Sequence, residues 1–207
     1  MQLALDAVTA ARGDRVLFRD ISLSLKRGEA LRVRGANGSG KTTLLRLLCG
    51  LGSPVAGAVR WGGNSVQSVR DEFHRALLYV GHAAGVKDDL LAWENVAASS
   101  ALAGRPCTRA QAIVALEAIG LAQQAWLPAR VLSQGQRRRV ALARLYLDGL
   151  PELLVLDEPF SALDQDAIGR LCARLRRHLE GAGMLVYTTH QEVPLETARA
   201  LDLDAAC

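Results

Sequence analysis

The 207-residue sequence predicts an α/β fold in which crossover helices cover a mostly parallel sheet and a helical lobe is inserted into that core. Three observations predict it. Short β-prone runs alternate with helical stretches along the chain. Two of those runs, Leu153–Leu156 and Met184–Thr188, are almost wholly apolar, as strands buried on both faces are. From about Trp93 to Leu150 the composition turns to Ala, Leu, Gln and Arg while β-branched residues thin out. In chain order, strands are predicted at Leu3–Val8, Val16–Leu25 and Ala30–Val33, and a glycine-rich loop follows the third. A helix over Thr43–Cys49 comes next, stopped by Gly50 and Gly52. Ala58–Trp61 and Ala76–Val80 read as short strands. Helix-start signals stand at Thr108 and Ser133, the second opening a helix that runs to about Asp148. The last two strands enclose a helix from about Asp164 to Leu179.

Composition narrows the class before any motif does. The formal charge is 25 minus 21, or +4, a mildly basic balance that favours solubility and gives no reason to expect a nucleic-acid partner. No stretch approaches the roughly 18 apolar residues of a membrane-spanning helix, and the start of the chain lacks the layout of a secretory signal, so a cytoplasmic protein is expected. Cys49, Cys107, Cys172 and Cys207 show no paired metal-ligand spacing and read as ordinary thiols in a reducing compartment.

The chemistry begins at Gly35-Ala36-Asn37-Gly38-Ser39-Gly40-Lys41-Thr42, which fits the phosphate-loop pattern G-x-x-x-x-G-K-[ST] between a strand and a helix. Glycines let successive backbone N–H groups turn inward around phosphates, and the positive end of the helix dipole adds to them. Thr43 opens the helix beside the loop, Lys41 is placed to reach the β and γ phosphates, and the Thr42 hydroxyl to ligate Mg²⁺. A chance match in a chain of this length is on the order of one percent. A nucleotide also needs a metal-side carboxylate and a group that orients water. Leu153-Leu154-Val155-Leu156-Asp157-Glu158 offers both at the end of an apolar strand: Asp157 for the Mg²⁺ shell and Glu158 for the attacking water.

The third motif is Leu132-Ser133-Gln134-Gly135-Gln136. Ser133 and Gln136 have capping-box spacing, and the same helix N-terminus is a ready anion site. Arg137, Arg138 and Arg139 follow in the first turns, where each cation opposes the helix dipole by roughly 0.3–1 kcal/mol, and they read as solvated side chains.

Together these residues resemble the ATP-binding-cassette (ABC) family across essentially the whole chain. The phosphate loop, Leu132–Gln136 as signature, Asp157 and Glu158, Ser161-Ala162-Leu163-Asp164 as D-loop, and His190 after Thr188-Thr189 occur in the family's order. The resemblance implies a P-loop NTPase of ABC ATPase fold, one domain over residues 1–207. Its mixed or parallel sheet core would span about 1–81 and 150–207, and its helical lobe about 82–149. It also implies a homodimer that sandwiches two ATP molecules between one subunit's phosphate loop and the other's Ser133, Gly135 and Gln136, with Asp164 at the interface and His190 on the γ phosphate. The lobe would dock a multi-spanning membrane subunit. Two departures stand out. Where the family places a glutamine, counting back from Glu94-Asn95-Val96 leads to His82, a poorer Mg²⁺ ligand that is expected to act through hydrogen bonds or water unless it is merely structural. Near Ala11 and Arg12 no aromatic ring is available to stack on adenine; Phe18 lies too late, which leaves Arg12 for the base.

Within the family, four features are similar to the ATP-binding subunits of haem exporters in bacterial c-type cytochrome maturation. They are the run Tyr79–Lys87 with its His82, the segment Val59-Arg60-Trp61-Gly62, the run Arg137–Arg144, and Thr188-Thr189-His190-Gln191. That similarity implies a peripheral protein on the cytoplasmic face of the inner membrane, working either in haem export or in ATP-driven release of haem from a handover complex. Direct haem binding is not expected: His74 and His178 are isolated, and Cys107 is in no Cys-x-x-Cys-His arrangement. Two competing readings stay open, an ABC ATPase for another substrate and a nucleotide-sensing subunit that does not hydrolyse ATP.

Overall fold

The computed structural model describes residues 1–195 and 199–206; Cys207, one of the four expected thiols, lies outside the described residues. The chain opens with two long antiparallel strands, β1 (Gln2–Arg12) and β2 (Arg15–Lys26), followed by β3 (Ala30–Arg34) and helix α1 (Lys41–Leu48). Strands β4 (Ala56–Trp61) and β5 (Asn64–Ser65), the short helix α2 (Arg70–Arg75) and β6 (Leu77–Val80) come next. Three helices follow, α3 (Ala92–Leu102), α4 (Arg109–Ala118) and α5 (Gln134–Leu142), and the chain closes with β7 (Leu153–Leu156), α6 (Gln165–Glu180), β8 (Met184–Thr188) and β9 (Arg199–Asp202).

Among the described residues these strands build two sheets. One is antiparallel in the order β2-β1-β4-β5, and the other is parallel in the order β6-β7-β8-β3-β9. In the parallel sheet every strand ends at the same edge, so the segments that follow β3, β6, β7 and β8 emerge side by side. This is the edge at which open α/β sheets bind ligands.

Period-2 alternation explains why the central strands are apolar throughout. Leu153 and Val155 of β7 and Met184 and Val186 of β8 pack with α1 and the antiparallel sheet, in a cluster that includes Leu44, Leu48, Trp61 and Phe73. Leu154, Leu156, Leu185 and Tyr187 face the other way, onto Ile168, Leu171 and Leu175 of α6. Residues of α3, α4 and α5, among them Val96, Leu116 and Val140, join that second cluster.

The predicted strands and helices are present, several with shifted ends. Helix α1 starts at Lys41, two residues earlier than predicted, because Gly40 adopts the left-handed conformation (φ 102°) and caps it. The helix expected to run from Ser133 to about Asp148 stops at Leu142 and tightens into a 3₁₀ turn over Ala143–Tyr146. Arg174 of α6 donates to the carbonyls of Leu145 and Leu147, which takes those acceptors out of a regular helical ladder. Strand β5, helix α2 and strand β9 lie outside the predicted elements. β9 is largely exposed and short, so it carries little hydrophobic pattern to read.

Candidate nucleotide site

Twelve of the residues singled out from sequence line one cavity of about 600 Å³ at the carboxyl edge of the parallel sheet: Arg12, Asn37, Gly38, Gly40, Lys41, Thr42, Thr43, His82, Asp157, Glu158, Ser161 and His190. The volume suits a small-molecule ligand. Its floor is the loop between β3 and α1, where Gly35, Gly38 and Gly40 have φ of 145°, 84° and 102°. At Gly40 a side chain is excluded twice, by that backbone and by Leu17 and the Phe18 ring, each 3.1 Å from where a Cβ would stand. Phe18 is thus fully buried beneath the loop and is not free to stack on a base. Among the described residues no Phe, Tyr or Trp ring lines the cavity; Arg12, Arg15 and Leu17 are part of its wall.

Lys41 folds over the loop, its Nζ donating to the carbonyls of Gly35 (2.8 Å) and Ala36 (3.0 Å). The Ala36 N–H donates in turn to the Asp204 carboxylate at 2.8 Å, so the segment after β9 braces the start of the loop. The Ser39 hydroxyl is buried without a hydrogen-bond partner.

Asp157, 2% exposed, accepts at both carboxylate oxygens: from the Thr42 hydroxyl at 2.8 Å and from the Thr188 hydroxyl at 2.8 Å. Thr188 in turn accepts the Glu158 N–H at 2.8 Å, so one buried hydroxyl at the end of β8 fixes both acids at the end of β7. Glu158 has φ of +51°, a conformation that costs a non-glycine residue on the order of 1–3 kcal/mol and collects at functional sites. Its Oε1 is buried with no hydrogen-bond partner, and His190 Nε2 lies 3.5 Å away. Arg32 of β3 steadies the histidine's loop by donating to the carbonyls of Gln191 (3.0 Å) and Thr189 (3.4 Å).

Ser133, Gly135, Gln136 and Asp164 are not brought to this cavity. Ser133 caps α5, accepting from the Gln136 N–H at 3.2 Å while the Gln136 side chain accepts the Ser133 N–H at 2.9 Å. Gly135 lies against the Ala162 carbonyl, 2.6 Å from where its Cβ would be. Asp164 caps α6 through the Ala167 N–H at 2.8 Å and lies 3.7 Å from Arg139. The neighbouring arginines depart from expectation. Arg137 pairs with Asp88, and Arg138 is only 6% exposed and bonded to backbone carbonyls, so neither is a freely solvated cation.

The sequence does not mark Thr188 as a bracket for the two acids, nor Arg32, and it presents Arg138 as a solvated side chain where the structure buries it. A threonine closing an apolar strand beside an acid pair is a weak signal. A buried arginine in a polar-looking helix turn gives none. His74, His178, Cys49, Cys107 and Cys172 stand apart from the cavity. His74 meets the Cys49 carbonyl and His178 the Met184 carbonyl, each at 3.3 Å. Cys49, Cys107 and Cys172 are free thiols.

A glycine-rich phosphate cradle, a Thr–Asp pair and an acid with an unsatisfied oxygen at one sheet edge define a nucleoside-triphosphate-hydrolysing cassette. The ABC transporter family profile matches residues 18–161. The cytochrome c biogenesis ATP-binding export protein CcmA of Nitrosospira multiformis is 49% identical over 191 residues, 92% of each chain. Its counterpart in Aromatoleum aromaticum is 51% identical, over 88% of this chain and 86% of the relative, and that of Pseudomonas aeruginosa 45% identical over 98% of both. Among solved structures, a dimeric ATP-binding cassette in a post-hydrolysis state bound to ADP and Pi is similar at a TM-score of 0.79 and 25% identity, over 91% of this chain and 88% of that one. An ABC transporter ATP-binding protein of Pyrococcus furiosus shares the fold over 100% of this chain and 99% of its own, at a TM-score of 0.85 and 22% identity. The chain belongs to the ABC transporter family and, within it, to the cytochrome c biogenesis ATP-binding export proteins.

Proposed function

We propose that this protein hydrolyses ATP as a head-to-tail homodimer and spends that energy in c-type cytochrome maturation, through haem export or ATP-driven release of haem from a handover complex. The observation that carries the catalytic half is the convergence of Lys41, Thr42, Asp157, Glu158 and His190 on one cavity, with Glu158 Oε1 buried and without a hydrogen-bond partner. Lys41 exchanges its two loop carbonyls for the β and γ phosphate oxygens, and backbone N–H groups of the cavity-lining loop residues, Gly38 and Gly40 to Thr43 among them, hold the rest of the chain of phosphates. Glu158 accepts a hydrogen bond from the attacking water and then its proton. His190, which lines the same cavity as Glu158, donates to the γ phosphate. His82 holds water by hydrogen bonding.

The Thr42 hydroxyl and the Asp157 carboxylate, side by side on the cavity wall, suit Mg²⁺, which favours hard oxygen donors and takes one or two protein ligands beside phosphates and water. Among the described residues no cluster of three or more His, Cys, Asp or Glu could hold a metal by itself, so nucleotide oxygens complete the set. The ion, when bound, neutralises charge developing on the phosphates.

Ser133, Gly135 and Gln136 stand outside their own chain's cavity, which supports their serving a partner's nucleotide from the positive end of α5, with Asp164 near the dimer seam. Residues 82–149 are proposed as the lobe that docks a multi-spanning membrane subunit, with residues 1–81 and 150–207 as the core of a single domain. Among the described residues no helix is long and apolar enough to cross a membrane. The cytoplasmic face of the inner membrane is the proposed location; that the relatives are named export proteins supports association with a membrane.

Glu158→Gln keeps the shape of the side chain and removes its basicity. With ATP, this variant is expected to elute from a sizing column as a dimer that retains unhydrolysed nucleotide, while the wild type turns over. Wild-type hydrolysis by the variant, or ATP binding without dimerisation, contradicts the proposal.

A further inference from the structure

Where parallel strands end, their last carbonyls lose ladder partners and need other donors. In this sheet the last such bond between β6 and β7 is from the Asp157 N–H to the Val80 carbonyl, 2.8 Å. Beyond it lie the carbonyls of Gly81 and His82 on one side and of Asp157 and Glu158 on the other. One side chain serves all four. Arg138 of α5 donates through Nη1 to Gly81 (2.7 Å) and His82 (3.3 Å), and through Nη2 to Asp157 (2.5 Å) and Glu158 (3.1 Å). The guanidinium is a flat fork whose two amino groups diverge, and here each arm grips a different loop. It does so almost out of water, at 6% exposure. Burial drives its pKa down from the ordinary arginine value, and the charges of Asp157, Glu158 and Tyr79 act against that shift.

Arg138 also belongs to the helix whose first turn carries Ser133, Gly135 and Gln136. A second arginine of the same segment repeats the arrangement one step back: Arg144, in the 3₁₀ turn after α5, donates to the Tyr79 carbonyl at 3.2 Å. Helix α5 and the turn after it are therefore anchored to the end of β6 by two arginines, Arg138 and Arg144, and to the end of β7 by Arg138.

We infer that Arg138 is a positioning residue that sets the backbone of His82 and Glu158 from the helix bearing Ser133 and Gly135, so that engagement of this helix by a partner's nucleotide is felt at the subunit's own catalytic acid. This rests on the proposed roles of Glu158 and of the α5 N-terminus. Arg138 lies off the phosphate loop, so it sets turnover and leaves ATP binding to Lys41 and the loop. Without the fork, Glu158, already held at positive φ, is free to relax away from the position that water requires.

The test uses the full chain, with ATP affinity from nucleotide titration and kcat per folded subunit. Arg138→Met keeps the apolar stem and removes every donor. Its kcat is expected to fall by about 10- to 100-fold, the range that misplacement of a reacting group by about an ångström produces, with ATP affinity near the wild type. Arg138→Lys keeps the charge and is the variant to rely on if the methionine variant fails to fold. Its single ammonium cannot fork between two loops, so it is expected to restore stability without restoring kcat. Wild-type kcat in either variant, or a loss of ATP affinity in step with kcat, overturns the inference. Glu158→Gln in the same assay separates the two levels: full activity there defeats the assignment of Glu158, whereas an inactive Glu158→Gln beside a fully active Arg138 variant defeats only the role of Arg138.

Discussion

Thr188→Val asks whether one buried hydroxyl holds the acid pair. Thr188 is fully buried, its hydroxyl donates to Asp157 at 2.8 Å, and it accepts the Glu158 N–H at 2.8 Å. Valine has nearly the same shape, so packing is kept while a carboxyl oxygen of Asp157 and the Glu158 N–H lose their shared partner. A buried polar group left unsatisfied costs about 1–3 kcal/mol, so the two together amount to about 2–6 kcal/mol, a large part of the roughly 5–15 kcal/mol that stabilises a domain. In a chain of this size a loss of about 3 kcal/mol lowers Tm by roughly 6–12 °C. Thr188→Ser is the control. It keeps the hydroxyl and loses one buried methyl group, for about 1 kcal/mol. Urea and thermal denaturation of the three proteins without nucleotide read these differences, and kcat for ATP is expected to follow the same order. A valine variant as stable as the wild type, or a serine variant as damaged as the valine one, refutes the bracket.

His82→Gln is expected to retain ATPase activity, because an amide replaces the hydrogen-bonding role proposed for the imidazole; complete loss of activity in a folded variant means that the role is not replaceable. Stability is expected to fall as pH drops below about 6.5, in part through His178. Burial pushes its pKa down, opposed by the Met184 carbonyl and reinforced by Arg174. The unfolded chain therefore takes up the proton first, and the contribution is complete above the unfolded value near 6.5 and lost as pH falls through it toward the folded one. The wild-type minus His178→Asn stability difference, followed by urea titration between neutral and mildly acid pH, reads this single site. A difference that does not change with pH removes His178 from the account.

Much of the fold was legible because both faces of β7 and β8 are buried and their sequences are correspondingly apolar. The phosphate loop was legible for a different reason, since its glycines answer to positive φ and to the closeness of Leu17, Phe18 and Ser39. What escaped reading depends on contacts distant in sequence. Arg138 reads as a solvated cation in a polar turn, yet it reaches carbonyls 19 to 57 residues away. The end of α5 responds to Arg174, and strand β9 is defined by its pairing with β3 and not by its own residues. Phe18 was set aside for the base on position alone; its burial under Gly40 gives the physical reason.

The measurement that bears most directly on the account is the covalent haem content of c-type cytochromes in a strain lacking this gene, complemented with the wild type or with Lys41→Ala. Mature cytochromes are expected to disappear, and only the wild type to restore them. Cytochromes that persist without the gene contradict the maturation role and leave an ABC ATPase serving another substrate. Restoration by Lys41→Ala contradicts the need for nucleotide.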